Sequence, residues 1–248
     1  MKKLGIIQPE KIGDIIICLP IAKYYYDRGY EVIWPINRNI INNFVNYVDY
    51  VTFIPIDSDC RIAAQVCYNE MCNKVIDLAF CIPGANSRNT DWYLNHNDTM
   101  SFDELKYHIA EVPFNEKWNL QIKRNDQKEQ IVLDSLILIE ELPFIVMQDK
   151  SSDSRISYNT IGNADNPTNT QLWVNIHNIT DSIFDWIPVL EKATGHWLIE
   201  SCFSNLVDQL QIKVTDQKLF LKHGYYGSKL NDGHLRGIPR LRLDWTII

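Results

Sequence analysis

Apolar runs alternate with amphipathic or polar segments through the first 80 residues. The apolar runs cover residues 3–8, 30–34, 50–55 and 74–80. The intervening segments that favour helix cover residues 14–28, 39–46 and 60–73. Short apolar runs that alternate with helical patterns are typical of strand–helix–strand units, so the first half predicts a parallel sheet with helices on its faces.

The alternation starts again after a charged segment at residues 123–129, which has no apolar period. Strands are predicted at residues 143–148, 171–175 and 196–199, and helices at 182–193 and from 200–205 through 210. The predicted fold class is therefore α/β, with two Rossmann-like domains and a central cleft. Residues 1–125 form the predicted N-terminal domain and residues 126–248 the C-terminal domain.

Composition places the chain among soluble globular proteins. Of its 248 residues, 46% are hydrophobic and 22% charged, and no apolar run approaches the roughly 20 residues of a membrane span. Polar residues interrupt any signal-peptide core near the N-terminus, so a cytoplasmic location is predicted. The six cysteines include no C-x-x-C pair, and reduced, mostly buried thiols are expected.

The net charge of −7 argues against a general affinity for nucleic acid. Residues 218–242 nevertheless hold six basic residues and a single acidic one, Asp232. The basic residues are Lys218, Lys222, Lys229, Arg236, Arg240 and Arg242. This segment leaves a nucleic-acid partner open without favouring it.

Three apolar strands end in small, polar or charged residues and turn into a helix. These turns lie at Gly13-Asp14, at residues 148–152 and at residues 200–205. Free N–H groups at a helix N-terminus favour phosphate, and a carboxylate there can accept a proton. Neither a Walker A nor a G-x-G-x-x-G pattern occurs, which disfavours kinase and dehydrogenase functions.

A polar loop at residues 83–98 follows the fourth predicted strand. Loops at the carboxyl ends of parallel strands tend to carry function, and an aromatic side chain there can stack on a sugar or a base. Asn86, Arg88 and Trp92 in this loop, with Gly13 at the first turn, are therefore candidate ligand-binding residues.

Several of these segments resemble the heptosyltransferase-type (family 9-type) glycosyltransferases. Ile12-Gly13-Asp14 with the apolar residues 15–20, together with residues 30–34, 48–51 and 75–78, looks like their N-terminal half. Residues 200–206 are similar to their C-terminal donor-binding motif. The resemblance implies a GT-B fold, with the acceptor bound mainly by the first domain and a nucleotide-sugar by the second.

The resemblance also implies roles for individual residues. Asp14 takes the place of the general base that removes a proton from the acceptor hydroxyl. Glu200 and Ser201 would hold the donor, while Lys150 with Arg155 would face its diphosphate. The full candidate donor set is Gln148, Lys150, Ser151, Arg155, Glu200, Ser201, Ser204 and Asn205.

No metal ion or cofactor is expected besides the nucleotide-sugar co-substrate. The one formal D-x-D, Asp57-Ser58-Asp59, precedes a predicted helix of the first domain. A helix dipole with Lys or Arg can stabilise the negative charge that grows on the departing diphosphate.

The leading hypothesis is a metal-independent glycosyltransferase of hexosyl- or heptosyltransferase type. It moves a sugar from a nucleotide-sugar donor to a hydroxyl group of the acceptor, which is a glycan or another hydroxyl compound. One alternative is a phage-type transferase acting on a DNA base, motivated by the basic segment. Another is a non-catalytic nucleotide-sugar-binding homologue. It is motivated by Cys202 and Asn205, which occupy the glycine and histidine positions of the donor motif.

Overall fold

A computed structural model describes residues 1–81, 100–136, 142–151, 172–221 and 238–248. The described residues form two compact units. The first unit takes the described part of Met1–Lys123 together with residues 238–240, and the second takes the described part of 124–221 together with Leu241–Ile248. Four candidate site residues lie outside the described residues: Asn86, Arg88, Trp92 and Arg155.

The first unit contains a four-stranded parallel sheet in the order β3-β2-β1-β4. Its strands are β1 (Lys2–Ile7), β2 (Tyr30–Asn37), β3 (Thr52–Ile56) and β4 (Lys74–Asp77). Its described helices are α1 (Ile12–Tyr26), α2 (Cys60–Asn69) and α3 (Phe102–Ile109). The prediction of a helix at residues 39–46 is wrong, because only a short 3-10 helix at Ile41–Asn43 forms there.

The apolar residues of β1 lie in the core of this unit, as their sequence predicts. Leu4, Ile6 and Ile7 of β1 are fully buried, as expected for a central parallel strand that is covered on both faces. Gly5 of β1 faces α2, and a Cβ atom at this position would meet the Sγ atom of Cys67 at 2.6 Å. The glycine therefore permits the close helix–strand packing.

The second unit contains a five-stranded parallel sheet in the order β6-β5-β7-β8-β9. Its strands are β5 (Phe144–Gln148), β6 (Leu172–Asn175), β7 (Gly195–Ile199), β8 (Asp216–Phe220) and β9 (Thr246–Ile247). Its described helices are α4 (Asp126–Ser135), α5 (Ile187–Lys192) and α6 (Cys202–Leu210). The expected helix at 182–193 is divided into a 3-10 segment, Ile183–Trp186, and the shorter α5.

Each unit holds part of the C-terminal segment by a buried carboxylate. In the first unit Asp103 accepts hydrogen bonds from Lys117 Nζ at 2.8 Å and from the Arg240 N–H at 3.0 Å. In the second unit Asp208 is 1% exposed. It accepts from the N–H groups of Arg242 and Leu243 and from the indole N–H of Trp245, at 3.0–3.1 Å.

The expectation of reduced cysteines is wrong for one pair. Cys60, the first residue of α2, forms a disulfide with Cys81, which follows β4 at a sequence separation of 21. A strand pattern does not show this proximity, because it arises only when the chain crosses over the sheet from α2 to β4. Cys18, Cys67 and Cys72 are free thiols.

No helix within the described ranges combines the length and the apolar character that crossing a bilayer requires.

A fully buried histidine lies in the centre of β7. His196 is 0% exposed, and its Nε2–H donates to the carbonyl oxygen of Leu190 at 2.9 Å, which leaves Nδ1 unprotonated. Burial lowers the pKa of His196 to about 4, and the bond to Leu190 opposes this effect only partly. The native protein therefore holds the neutral imidazole.

We expect the free energy of unfolding to depend on pH through this residue. Between pH 6.5 and pH 4 the unfolded chain takes up a proton that the native state does not, so stability is present above pH 6.5 and is lost as the pH falls toward 4. The loss is on the order of 3 kcal/mol. His196→Gln, which keeps a donor to Leu190, should remove this dependence in urea titrations at pH 4.5 to 7.5.

The matched control is His177→Gln at an exposed histidine, which should follow the wild-type pH dependence. An unchanged pH slope in His196→Gln would show that another group controls the acid sensitivity.

Candidate functional site

Each sheet has one point at which the strand order reverses. In the first unit the chain moves from β1 to β2 and β3 and then returns to place β4 on the other side of β1. In the second unit β6 lies on one side of β5 and β7 on the other. Open parallel sheets bind ligands at the carboxyl ends of the strands at such points. We call the β1/β4 position the first switch point and the β5/β7 position the second.

A well-anchored loop follows β1 at the first switch point. Gln8 is 3% exposed. Its carbonyl oxygen accepts from Trp34 Nε1 at 3.0 Å, and its own amide donates to the Glu10 carbonyl at 2.9 Å. Lys11, directly before α1, has a positive φ of 62°. A lysine in this conformation marks local backbone strain, which is often found at functional sites.

Asp14 lies in the first turn of α1 and is partly exposed. The helix begins at Ile12, two residues before the predicted start, so Gly13 belongs to the helix and the left-handed residue is Lys11. A carboxylate in this turn interacts favourably with the helix dipole. The structure therefore places Gly13 and Asp14 at the first switch point, with the carboxylate partly open to solvent.

The thiol one turn beyond Asp14 has no nucleophilic character. Cys18 is fully buried, and burial raises its pKa to about 12; Lys106 opposes this rise, while Asp14 and Asp103 add to it. A neutral, buried thiol does not act as a nucleophile. Asp14 is therefore the better candidate for chemistry on this helix.

The turn after β4 forms the other side of the first switch point. Asp77 is 1% exposed, and its carboxylate accepts from the N–H groups of Ala79 at 3.0 Å and Cys81 at 2.9 Å. The N–H groups of Leu78 and Ala79 both donate to the carbonyl of Ile7 at 2.9 and 3.1 Å. Asp77 therefore stabilises this turn. From the sequence alone, an aspartate at a strand end can be either structural or functional, so the structural role was not predictable.

The second switch point brings most of the candidate donor residues together. Ser201 donates through its hydroxyl to Oε1 of Gln148, which joins the end of β5 to the start of α6. The Ser201 N–H donates to Ser204 Oγ at 2.9 Å, and the Asn205 N–H donates to the Ser201 carbonyl at 3.2 Å. Ser201 is the N-cap of α6. The sequence-predicted strand-to-helix turn therefore forms.

Two carboxylates are largely buried at the same strand ends. Glu200 is 9% exposed, and its N–H donates to the Phe220 carbonyl at 2.8 Å. Asp149 is 8% exposed and was missed by sequence reasoning. Its position directly after Gln148 is the signal that could have identified it. Lys150 is exposed and Ser151 half-buried in the residues that follow Asp149.

The D-x-D residues have structural roles. The Asp57 carboxylate lies 3.0 Å from Arg38 Nε. Asp59 is the N-cap of α2 and accepts from the Arg61 N–H at 2.6 Å. Among the residues that the structure describes, no group of three or more His, Cys, Asp or Glu side chains is arranged to hold a metal ion.

The described part of the basic segment is engaged within the protein. Lys218 Nζ lies 3.6 Å from the ring centre of Trp197 and 3.7 Å from Asp216. Arg240 Nε lies 3.0 Å from Glu104 Oε2. Lys222, Lys229 and Arg236 lie outside the described residues. Arg242 is described, and its backbone N–H donates to Asp208. The side-chain contacts of Lys218 and Arg240 give these two residues structural roles.

The fold matches a solved glycosyltransferase structure. The glycosyl transferase family 9 protein from Veillonella parvula DSM 2008 aligns with a TM-score of 0.62 and 10% identity, over 100% of this chain and 86% of that chain. No protein-family model matches the sequence, and no curated protein matches it either. The predicted resemblance to heptosyltransferase-type glycosyltransferases is therefore confirmed for the fold, an α/β fold with parallel sheets.

Two other structural neighbours are also glycosyltransferases. E. coli heptosyltransferase WaaC with ADP aligns at a TM-score of 0.48 and 12% identity, over 100% of this chain and 92% of that chain. The iron-containing dodecameric glycosyltransferase TibC from enterotoxigenic E. coli H10407 aligns at 0.49 and 10% identity, over 88% and 57%. Both scores are below 0.5, so the fold assignment rests on the Veillonella protein.

Proposed function

We propose that this protein is a glycosyltransferase that moves a sugar from a nucleotide-sugar donor to an acceptor hydroxyl without a metal ion. The observation that carries the proposal is the position of Asp14. It is a partly exposed carboxylate in the first turn of α1, at the switch point of a fold shared with a family 9 glycosyltransferase.

Asp14 acts as the general base in this proposal. It accepts the proton of the acceptor hydroxyl while the oxygen attacks the anomeric carbon of the donor sugar, and the bond from that carbon to the diphosphate breaks. Gly13, Asn86, Arg88 and Trp92 form the proposed acceptor set.

The second switch point binds the donor in the same proposal. Glu200 accepts hydrogen bonds from donor hydroxyls, and the N-terminus of α6 with Lys150 and Arg155 stabilises the departing diphosphate. Gln148, Ser151, Ser201, Ser204 and Asn205 complete the donor set. The two units are then the acceptor and donor domains of a GT-B enzyme. Its central cleft and a cytoplasmic location remain predictions.

A thermal-shift screen tests donor binding. The probes are ADP, CDP, GDP, UDP and dTDP with ADP-heptose, ADP-glucose, GDP-mannose and UDP-glucose. A ligand at 100 times its Kd adds about 2.7 kcal/mol to the free energy of unfolding, so one nucleotide series should raise the melting temperature by several degrees. Glu200→Gln should reduce the shift, whereas Glu191→Gln on the exposed side of α5 should not.

The screen also separates the alternatives. Slow hydrolysis of the stabilising nucleotide-sugar without acceptor excludes a non-catalytic binding protein. Absence of any shift across the panel contradicts the transferase proposal. Salt-sensitive binding to duplex DNA would instead favour the DNA-base acceptor.

A further inference from the structure

One ammonium group is buried at the first switch point. Lys106, on α3, is 2% exposed. Its Nζ donates to Oε1 of Gln8 at 2.8 Å and to the carbonyl oxygen of Leu78 at 2.6 Å. The same nitrogen lies 5.0 Å from the ring centre of Phe80. Lys106 therefore connects the loop after β1 with the turn after β4.

The charge of Lys106 is not balanced by a neighbouring acid within the described ranges. No described carboxylate lies at ion-pair distance from its Nζ, whereas Lys117, equally buried in the same unit, lies 2.8 Å from Asp103. Burying an ammonium without an opposite charge is costly, and an apolar side chain would fill the same space without that cost. A role beyond packing accounts for a lysine here.

The contacts of Lys106 continue to the helix that carries Asp14. Gln8 receives the Lys106 bond on its side-chain oxygen and donates to the Glu10 carbonyl at 2.9 Å, so the loop before α1 is fixed from both ends. The next residue of α3, Tyr107, donates its hydroxyl to the Ile17 carbonyl at 2.8 Å. Two adjacent residues of α3 thus contact the chain on both sides of Asp14, at Gln8 before α1 and at Ile17 within it.

We propose that Lys106 is a positioning residue: its ammonium group ties the loop that leads to Asp14 to the turn after β4 and so fixes the place of the Asp14 carboxylate. This inference rests on the transferase function proposed above. A base that is displaced by about 1 Å can lose about 100-fold in rate.

Lys106→Met tests the proposal, because methionine fills a similar volume and cannot donate hydrogen bonds. The assay is hydrolysis of the nucleotide-sugar that stabilises the wild-type protein, chosen from ADP-heptose, ADP-glucose, GDP-mannose and UDP-glucose. We expect kcat to fall by about 10- to 100-fold, with the KM for the donor unchanged. A kcat equal to that of the wild type, or a rise in KM alone, would overturn the proposal.

Lys74→Met is the matched control. Lys74 bonds to the Tyr25 hydroxyl at 2.6 Å and to Glu111 at 2.8 Å, at the opposite end of β4. Lys74→Met removes an ammonium group from the same unit without touching the first switch point, so kcat should be retained. An equal loss of kcat in both variants would contradict the positioning role and would show that Lys106 contributes only to general stability.

A second pair of variants decides the matter if Lys106→Met does not fold. Gln8→Glu keeps an oxygen that accepts from Lys106, whereas Gln8→Met removes it. We expect Gln8→Glu to retain most of the kcat that Gln8→Met loses. Equal rates in the two variants would contradict the proposal.

Hydrogen exchange separates this proposal from the transferase function. If the wild-type protein turns over none of the four nucleotide-sugars, the function fails while the positioning role can still be measured. Amides of residues 8–17 should then exchange faster in Lys106→Met, or in Gln8→Met if the former does not fold, than in Lys74→Met. Equal exchange in this segment would overturn the positioning role.

Discussion

Asp14→Asn should abolish nearly all sugar transfer while the protein remains folded and binds its donor. Loss of a general base typically lowers the rate by about 10²- to 10⁴-fold, because an amide cannot accept the hydroxyl proton. Asparagine retains the shape of the side chain, and losing the carboxylate in the first turn of α1 costs only about 0.3–1 kcal/mol of stability. The measurements are kcat for transfer or hydrolysis and the donor-induced thermal shift.

The control is Asp27→Asn at the other end of the same helix. Asp27 is half-exposed and forms an ion pair with Lys23, so its loss should change neither kcat nor the thermal shift. If Asp14→Asn transfers sugar at a near-normal rate, another group is the base and the proposed mechanism must be abandoned.

Asp208→Ala should cause a large loss of stability. Its buried carboxylate accepts from two backbone N–H groups and the Trp245 indole. Each donor left unsatisfied in a buried site costs about 1–3 kcal/mol, so the free energy of unfolding should fall by about 3 kcal/mol or more. Urea denaturation measures the loss, and the fluorescence of Trp245 should report release of the C-terminal residues.

Asp134→Ala provides the comparison for Asp208. Asp134 is exposed on α4 and accepts one hydrogen bond from Gln130, and surface substitutions of this kind change stability by at most about 0.5 kcal/mol. Similar effects of the two variants would show that the Asp208 network does not hold the C-terminal segment.

The sequence predicted helices and strands correctly where the hydrophobic residues kept one regular spacing over a whole segment. The apolar run before Gln8 and the helix that carries Asp14 both form, and the helix start is displaced by only two residues. The strand-to-helix turn at Ser201 forms with its capping hydrogen bond, in which the Ser201 N–H donates to Ser204 Oγ. These features depend on neighbours within four residues, so the local sequence contains the information that specifies them.

Predictions failed where local pattern was weak. At residues 39–46 short-range backbone hydrogen bonds, such as that from the Phe44 N–H to the Ile41 carbonyl at 2.9 Å, form turns, and only Ile41–Asn43 makes a 3-10 helix. Strands β8 and β9 were missed. β9 has just two residues, too few to show a period, and β8 includes the charged residues Asp216 and Lys218.

The sequence by itself determined the α/β class and the position of Asp14 after a buried strand, because hydrophobic periodicity and turn chemistry act over short distances. Only the tertiary structure decided which distant groups meet there. Lys106 contacts Gln8 across 98 residues, and Cys60 joins Cys81 through the crossover from α2 to β4. Such contacts depend on strand order and helix packing, and no local pattern in the chain specifies them.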